Sequence, residues 1–103
     1  MSVASVSSWR VAADCRAAFI DGLREARAQH EQRGGKVSVW NNSVAGENVG
    51  IVEYWIEHRD LEAHGRFSES LGRDAAYQDW FARFTSKPLS WCVVATRVVQ
   101  SVE

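Results

Sequence analysis

The predicted strands of this chain are apolar on both faces, and this pattern limits the folds that the chain can adopt. A sheet with one solvent-exposed face alternates apolar and polar side chains along each strand. The segment Val49 to Ile56 instead places Ile51 and Trp55 on one face, and Val52 and Ile56 on the other. The last segment repeats the pattern, with Trp91, Val93, Ala95, Arg97 and Val99 alternating with Cys92, Val94, Thr96 and Val98. Both faces of the sheet are therefore expected to be buried.

Turn and cap residues divide the 103 residues into strands and helices in the order βαββαβ. Strands are predicted where β-branched and aromatic residues cluster between turn residues, and helices where apolar residues recur at offsets of three and four. The predicted strands are Val3 to Val11, Lys36 to Asn41, Val49 to Ile56 and Leu89 to Val102. The predicted helices are Cys15 to Arg33 and a second helix in two pieces.

The first helix has signals at both ends. Its apolar stripe contains Cys15, Ala18, Phe19, Gly22, Leu23, Ala26 and His30. Asp14 is expected to cap its start, because a carboxylate accepts hydrogen bonds from the free N–H groups there. Gly34 and Gly35 are expected to end it, because glycine readily adopts the left-handed conformation that follows many helices. His30 lies near this end, where a cation interacts favourably with the helix dipole.

The second helix is expected to begin after the cap residue Asp60 and to break at Gly72-Arg73-Asp74. One face of its first piece carries Leu61, His64, Phe67, Ser68 and Leu71. Asp74 can cap the second piece, Ala75 to Phe84, which is aromatic on one side through Tyr77, Trp80, Phe81 and Phe84. Asn42 to Asn48 contains turn residues and is predicted to be a hairpin loop.

This order predicts an α+β, ferredoxin-like domain that spans residues 1–103, with a four-stranded antiparallel sheet and both helices on one face. The helix-free face would then expose several hundred Å² of apolar side chains, more than a soluble monomer usually shows. We therefore expect a homodimer in which two sheets pack face to face about a two-fold axis. The alternative is a monomer with an unusually apolar surface.

The charge balance limits the partners. With 12 basic and 13 acidic residues, the net charge of −1 argues against nucleic acid and anionic membranes. Met1 to Val11 lacks the features of a targeting segment, and no apolar run is long enough to span a bilayer. Cys15 and Cys92 are expected to stay reduced, as in a cytoplasmic protein.

No cofactor or metal is expected from the motifs. His30, His58 and His64 lack the spacing of a helical zinc site. The pair Gly34-Gly35 follows a helix, whereas a phosphate-binding loop precedes one.

The element order, the two-faced strands and the broken second helix resemble the dimeric α/β-barrel superfamily. Within it, the chain is similar to the antibiotic-biosynthesis-monooxygenase and NIPSNAP-like branches, most of all over Leu71 to Trp80 (LGRDAAYQDW). The resemblance covers nearly the whole chain and implies a ligand pocket between sheet and helices, lined by aromatic side chains. Members include monooxygenases, haem degraders, isomerases and stress-responsive proteins, so the fold alone does not define an activity.

Haem-degrading relatives use an Asn in the first strand, then a Trp and a His around the broken helix. On that pattern, Ser70 stands where the Trp belongs and Trp80 where the His belongs. Val3 to Val11 contains no Asn. These departures argue against haem as a cofactor.

Two residues are predicted to be catalytic, His64 and Tyr54. His64 lies on the buried face of its helix, and histidine exchanges protons near neutral pH. Tyr54 alternates with Val52 and Ile56 and should face the helices. We predict that Trp40, Phe67 and Trp80 line a ligand pocket in the same region. The alternative is that His64 and these rings are core side chains without a ligand.

Glu53 and Arg97 are charges among the apolar residues of the helix-free face. A buried charge is unfavourable unless it is paired. We therefore expect Glu53 to pair with Arg97 or Arg10, of either subunit, at the dimer interface.

Three functions are compatible with the sequence. The first is binding of a small hydrophobic or aromatic molecule, which the five tryptophans favour. The second is cofactor-independent monooxygenation, which needs a dry pocket, a stabilised substrate anion and access for dioxygen. The third is a structural or interaction protein with a filled core, which would have no cavity beneath its helices.

Overall fold

A computed structural model describes residues 2–41 and 50–102 and has the predicted βαββαβ order. The second helix is broken in two, as expected. The elements in chain order are β1 (Val3–Val11), a single 3-10 turn (Ala13–Cys15), α1 (Arg16–Gln32), β2 (Lys36–Asn41), β3 (Ile51–His58), α2 (Leu61–Arg73), α3 (Ala75–Phe84) and β4 (Trp91–Gln100).

The ends of the helices follow the predicted cap residues in all but one case. Asp60 accepts a hydrogen bond from the Ala63 N–H at 2.8 Å at the start of α2, and Asp74 does the same for α3. Gly34 has a φ of 88°, the left-handed conformation expected after α1. The prediction for Asp14 is wrong: it lies in the 3-10 turn, and α1 begins after Cys15 without a side-chain cap.

The sheet is antiparallel, with strand order β2-β3-β1-β4, as the ferredoxin-like prediction requires. Along β3, Val52, Tyr54, Ile56 and His58 are buried on the face that the helices cover. Ile51, Glu53, Trp55 and Glu57 are partly exposed on the opposite face, hereafter the open face.

The prediction of which residues of β4 share a face is wrong for the start of the strand, because β4 contains a β-bulge. Ser8 pairs with Ala95, but Trp9 pairs with Val93, so Val94 is an extra residue. The extra residue moves everything before it to the opposite face. Trp91 and Val93 therefore share the helix side with Thr96 and Val98, whereas the prediction grouped them with Ala95, Arg97 and Val99.

The bounds of the third and the last strand also differ from the prediction. The third strand runs two residues further than predicted, to His58, and its predicted first residue, Val49, lies outside the described residues. The predicted hairpin loop, Asn42 to Asn48, lies outside them too. The last strand runs from Trp91 to Gln100 rather than from Leu89 to Val102, and it starts later because a turn after Lys87 uses the Trp91 N–H.

The core lies between the sheet and the helices and is built largely from aromatic rings. Phe19 is fully buried and packs against Trp9, Phe84 and Trp91, with ring centroids 5.6 to 5.8 Å apart. Gly22 lets α1 approach these rings, because an added Cβ there would lie 2.2 Å from Phe84.

The open face keeps the apolar character that the sequence predicted. Trp40 is 61% exposed there, beside the partly exposed Trp55. The helices cover the start of β4, where Trp91 is buried, but leave most of this strand exposed, including Val93 and Val98 on the helix side. In residues 2–41 and 50–102, no helix is long and apolar enough to cross a membrane.

Candidate functional site

A cavity of about 260 Å³ lies between the sheet and the helices. Its walls come from β1, β3, β4 and all three helices, and most of its surface is apolar. Among the described residues that line it, none is Lys, Arg, Asp or Glu. The polar side chains that line it are Ser5, Ser7, His30, Tyr54, His64, Ser68, Tyr77 and Thr96.

His30 bridges two tyrosines in the wall of this cavity. Its Nδ1 lies 2.7 Å from the Tyr54 hydroxyl oxygen, and its Nε2 lies 2.8 Å from the Tyr77 hydroxyl oxygen. All three side chains are buried. Tyr54 of β3 and Tyr77 of α3 are the two tyrosines of the sequence, and His30 of α1 joins them.

Burial keeps this group of three side chains uncharged. It lowers the pKa of His30 to about 4, and Arg33 and His58 act in the same direction. Burial also raises the pKa of Tyr54 well above its usual value. The pKa of Tyr77 is raised by burial as well, although the Arg33 cation offsets part of that increase. At neutral pH the imidazole therefore carries a single proton, and both phenols keep theirs.

Asp74 and Arg33 hold Tyr77 in place. The Asp74 carboxylate accepts a hydrogen bond from the Tyr77 N–H at 3.0 Å and pairs with the Arg33 guanidinium. The hydrogen bond from Tyr77, followed by the charge of Arg33, lowers the pKa of Asp74. Arg33 also lies over the Tyr77 ring, with its guanidinium carbon 5.9 Å from the centroid. The break between α2 and α3 thus fixes one end of the bridge.

Aromatic rings of α3 form another wall of the cavity. Trp80 stacks on Phe84 with centroids 5.2 Å apart, and Tyr77 stacks on Phe81. The Trp80 indole N–H donates to the Glu25 carboxylate at 2.8 Å, outside the cavity. Trp80, Phe81 and Phe84 therefore contribute apolar ring atoms to the cavity lining, while the indole N–H of Trp80 has its partner outside it.

The structure brings together four of the five predicted site residues. Tyr54, His64, Phe67 and Trp80 all line the cavity. Trp40 does not, because it pairs with Glu53 in the β2–β3 ladder and therefore lies on the open face. The expectation that Trp40 approaches Tyr54 under the helices is wrong. The catalytic and ligand-binding roles of the other four stay predictions.

His58 and His64 form a second pair beside the cavity. Their rings lie 5.5 Å apart, and Phe67 packs against His58 at 4.6 Å. The Nε2 of His58 and the Nδ1 of His64 are buried and have no hydrogen-bond partner among the described residues. Burial, followed by the charge of His64, lowers the pKa of His58. Both imidazoles can therefore accept or donate one further hydrogen bond.

Sequence reasoning missed His30 and Tyr77 as site residues. His30 lies on the predicted apolar stripe of the first helix, but its position near the helix end favoured its interpretation as a cation that interacts with the helix dipole. That position on the stripe was the available signal, since a histidine that faces a core needs partners for both ring nitrogens.

On the open face, Glu53 accepts hydrogen bonds from three side chains. The Arg97 guanidinium lies 3.3 Å from its carboxylate, the Trp55 indole N–H 3.2 Å and the Ser8 hydroxyl 3.4 Å. The expected pairing of Glu53 with Arg97 is therefore present within one chain. Its predicted place at a dimer interface stays a prediction.

No protein-family model and no curated protein sequence matches the chain. Among solved structures, a NIPSNAP family protein from Agrobacterium tumefaciens has a TM-score of 0.71 at 11% identity, over 100% of this chain and 95% of that one. A NIPSNAP domain protein from Burkholderia xenovorans has a TM-score of 0.70 at 14% identity, over 98% and 93%. A candidate antibiotic biosynthesis monooxygenase from Bordetella bronchiseptica has a TM-score of 0.65 at 17% identity, over 99% and 98%. The predicted resemblance to these branches is confirmed at the level of the fold.

Proposed function

We propose that this chain is one subunit of a homodimer and binds a small, uncharged aromatic molecule between its sheet and its helices. The observation that carries the proposal is the cavity of about 260 Å³, whose described lining contains no Lys, Arg, Asp or Glu. An ion inside it would lose its hydration without gaining an opposite charge, which is strongly unfavourable.

The size of the cavity indicates how large the ligand is. An apolar cavity of about 150 Å³ accommodates benzene, whereas sites for drug-sized molecules span about 300 to 1,000 Å³. At about 260 Å³, this cavity fits a molecule of one or two rings. The rings of Trp80, Phe81 and Phe84 offer stacking surfaces, and the hydroxyls of Tyr54 and Tyr77 offer hydrogen bonds to an oxygen substituent.

Calorimetric titration with four two-ring probes tests this proposal. Tetralin carries no oxygen, tetralone a carbonyl, tetrahydronaphthol a hydroxyl, and hydroxytetralone both. Tetralin carboxylate has the same ring system with a negative charge and serves as the control. We expect saturable binding of at least one neutral probe and none of the carboxylate. Binding of the carboxylate at equal strength, or of no neutral probe, would reject the proposal.

The homodimer is supported by the open face. Exposed Trp40 and partly exposed Trp55 and Ile51 lie there around the ion pair of Glu53 and Arg97. A second copy packed on this face would remove these apolar side chains from water. Light scattering at micromolar concentration should report twice the 11.6 kDa chain mass, and a particle of 11.6 kDa would refute the dimer.

Cys15 and Cys92 are unpaired, which supports the predicted cytoplasmic location.

Cofactor-independent monooxygenation is the second candidate, with Tyr54 and His64 as its predicted catalytic residues. Tyr54 is a buried phenol bonded to His30, and His64 lines the same cavity with a buried ring nitrogen that has no partner among the described residues. Groups of these two kinds can take part in moving a substrate proton. In such a reaction a substrate CH₂ group becomes a carbonyl, dioxygen supplies the new oxygen atom, and the second oxygen atom leaves as water. Oxygen consumption with hydroxytetralone tests it. Unchanged turnover in both Tyr54→Phe and His64→Ala would reject these two residues.

A further inference from the structure

The bridge between the two tyrosines has a fixed number of protons. A neutral imidazole carries one N–H and each phenol one O–H, which makes three protons for two hydrogen bonds. Among the described residues, the hydroxyl groups of Tyr54 and Tyr77 have no hydrogen-bond partner other than His30. One O–H is therefore left over, and it belongs to the tyrosine that accepts from the imidazole.

The neutral imidazole also forces the two tyrosines into opposite roles. One ring nitrogen donates and the other accepts, so one phenol receives a hydrogen bond and the other gives one. The tyrosine that receives keeps its O–H as a free donor. The tyrosine that gives has only its oxygen lone pairs left.

Arg33 decides which tyrosine gives its proton. Its guanidinium carbon lies 5.9 Å from the centre of the Tyr77 ring, and no such cation lies over Tyr54 within the described residues. A nearby cation stabilises the negative charge that grows on a phenol oxygen as it donates. Arg33 lowers the pKa of Tyr77 against the effect of burial, whereas at Tyr54 the lowering by Arg27 is opposed by Tyr77 and Glu31, which raise the pKa. Tyr77 is thus the better donor to Nε2, and Nδ1–H donates to Tyr54.

We infer that His30 is a positioning residue whose Nδ1–H tautomer makes Tyr54 a hydrogen-bond donor and Tyr77 an acceptor towards the ligand cavity. The effect of this arrangement on ligands rests on the proposed binding function. A ligand carbonyl then belongs at the Tyr54 end and a ligand hydroxyl at the Tyr77 end. One oxygen atom cannot bond both phenols, because the imidazole ring lies between them.

The tautomer can be measured without a ligand. Nitrogen-15 NMR distinguishes the protonated from the unprotonated ring nitrogen of each histidine, and the chain has only three. The signals of His30 are those missing from the spectrum of His30→Gln. We expect Nδ1 to be protonated and Nε2 to be bare near neutral pH. A protonated Nε2, or a doubly protonated ring, would overturn the inference whether or not the probes bind.

The four two-ring probes then test the consequence for ligands. A carbonyl and a hydroxyl should each tighten binding about twofold to tenfold over tetralin, as one net hydrogen bond does. Tyr54→Phe should remove the gain from the carbonyl, and Tyr77→Phe the gain from the hydroxyl. In Tyr77→Phe, His30 is free to take either tautomer, so the gain from the carbonyl should shrink but persist.

Variants of His30 separate positioning from packing. The Gln side chain has a donor NH₂ group and an acceptor oxygen, as neutral His has a donor and an acceptor nitrogen. His30→Gln should therefore keep part of the tighter binding of both the carbonyl and the hydroxyl probe. Leu has neither, so His30→Leu should bind tetralin but lose the difference between carbonyl and hydroxyl probes. Trp80→Phe, whose indole N–H bonds outside the cavity, should change all four probes alike. If both tyrosine variants reduce all four affinities equally, His30 has only a structural role and the inference fails.

Discussion

His30 Nε2 lies 2.8 Å from the Tyr77 hydroxyl oxygen, although 47 residues separate the two in the chain. The contact joins α1 to α3, and its continuation to Tyr54 joins both helices to β3. The same three side chains therefore contribute to the core and provide the polar groups of the cavity. Substitutions of these side chains should therefore change both the free energy of unfolding and the affinity for a ligand, and the two can be measured independently.

The pH dependence of stability should report the burial of His30. Its pKa is about 4 in the folded protein, against 6.5 for a histidine exposed to water. The unfolded chain therefore takes up a proton first as the pH falls, and the stability present above about pH 6.5 is lost down to about pH 4. Between about pH 7.5 and about pH 4.5 this amounts to about 2.5 kcal/mol. Urea unfolding at both values should show this loss, and His30→Gln should remove most of it.

The His58 imidazole adds a smaller loss in the same direction, since burial also lowers its pKa. The difference between the wild-type and His30→Gln profiles isolates the contribution of His30. Identical profiles for the two proteins would mean that His30 is not held neutral.

Gly22→Ala should destabilise the protein and reduce the space for a ligand. The added Cβ would lie 2.2 Å from Phe84, whose ring stacks on Trp80 and lines the cavity. Overpacking of this kind costs about 1 to 3 kcal/mol. Gly65→Ala is the matched control, because no atom lies within 4 Å of its added Cβ. That variant should gain about 0.5 to 1 kcal/mol in urea unfolding. Equal effects of both substitutions would contradict the close contact of α1 with Phe84.

Asp74→Ala should destabilise the protein more than Asp60→Ala. Asp60 only caps α2, and the loss of such a cap costs about 1 kcal/mol. Its surface contact with Arg59 adds little. Asp74 caps α3 and also pairs with the half-buried Arg33. Asp74→Asn should lose less stability than Asp74→Ala, since it keeps a cap and loses only the charge. Denaturant midpoints of the three variants test this order, and a larger loss for Asp60→Ala would contradict it.

Ala95→Glu should convert the proposed dimer into a monomer. Ala95 lies on the open face, where Ser8 separates it from Glu53 in the sheet. A second carboxylate there would be buried between two sheets, while Arg97 is already paired with Glu53. Ala28→Glu adds the same charge to an exposed position of α1 and should leave the mass unchanged. Light scattering of both variants gives the answer. A dimer that tolerates Ala95→Glu does not use this face.

The elements of the fold could be predicted from local signals. Asp60, Asp74 and Gly34 mark helix ends by chemistry that acts within a few residues, and all three were predicted correctly. Asp14 failed because the chain makes a 3-10 turn there before α1 begins. Register could not be predicted in the same way. The extra residue Val94 shows only when β4 is paired with β1.

The site was predicted only in part, for a similar reason. Tyr54, His64, Phe67 and Trp80 face the cavity because alternation and helical spacing set their direction locally. Trp40 was misplaced because its face depends on the pairing of β2 with β3 across the segment 42–49. The role of His30 depends on two partners, 24 and 47 residues away, that only the folded chain brings to it.

A crystal structure of the protein soaked with hydroxytetralone tests the proposed site most directly. We expect the ligand between the helices and the sheet, with its carbonyl oxygen within about 3.2 Å of the Tyr54 hydroxyl and its rings against Trp80. An empty cavity at a saturating concentration, or the ligand bound on the open face instead, would contradict the proposal.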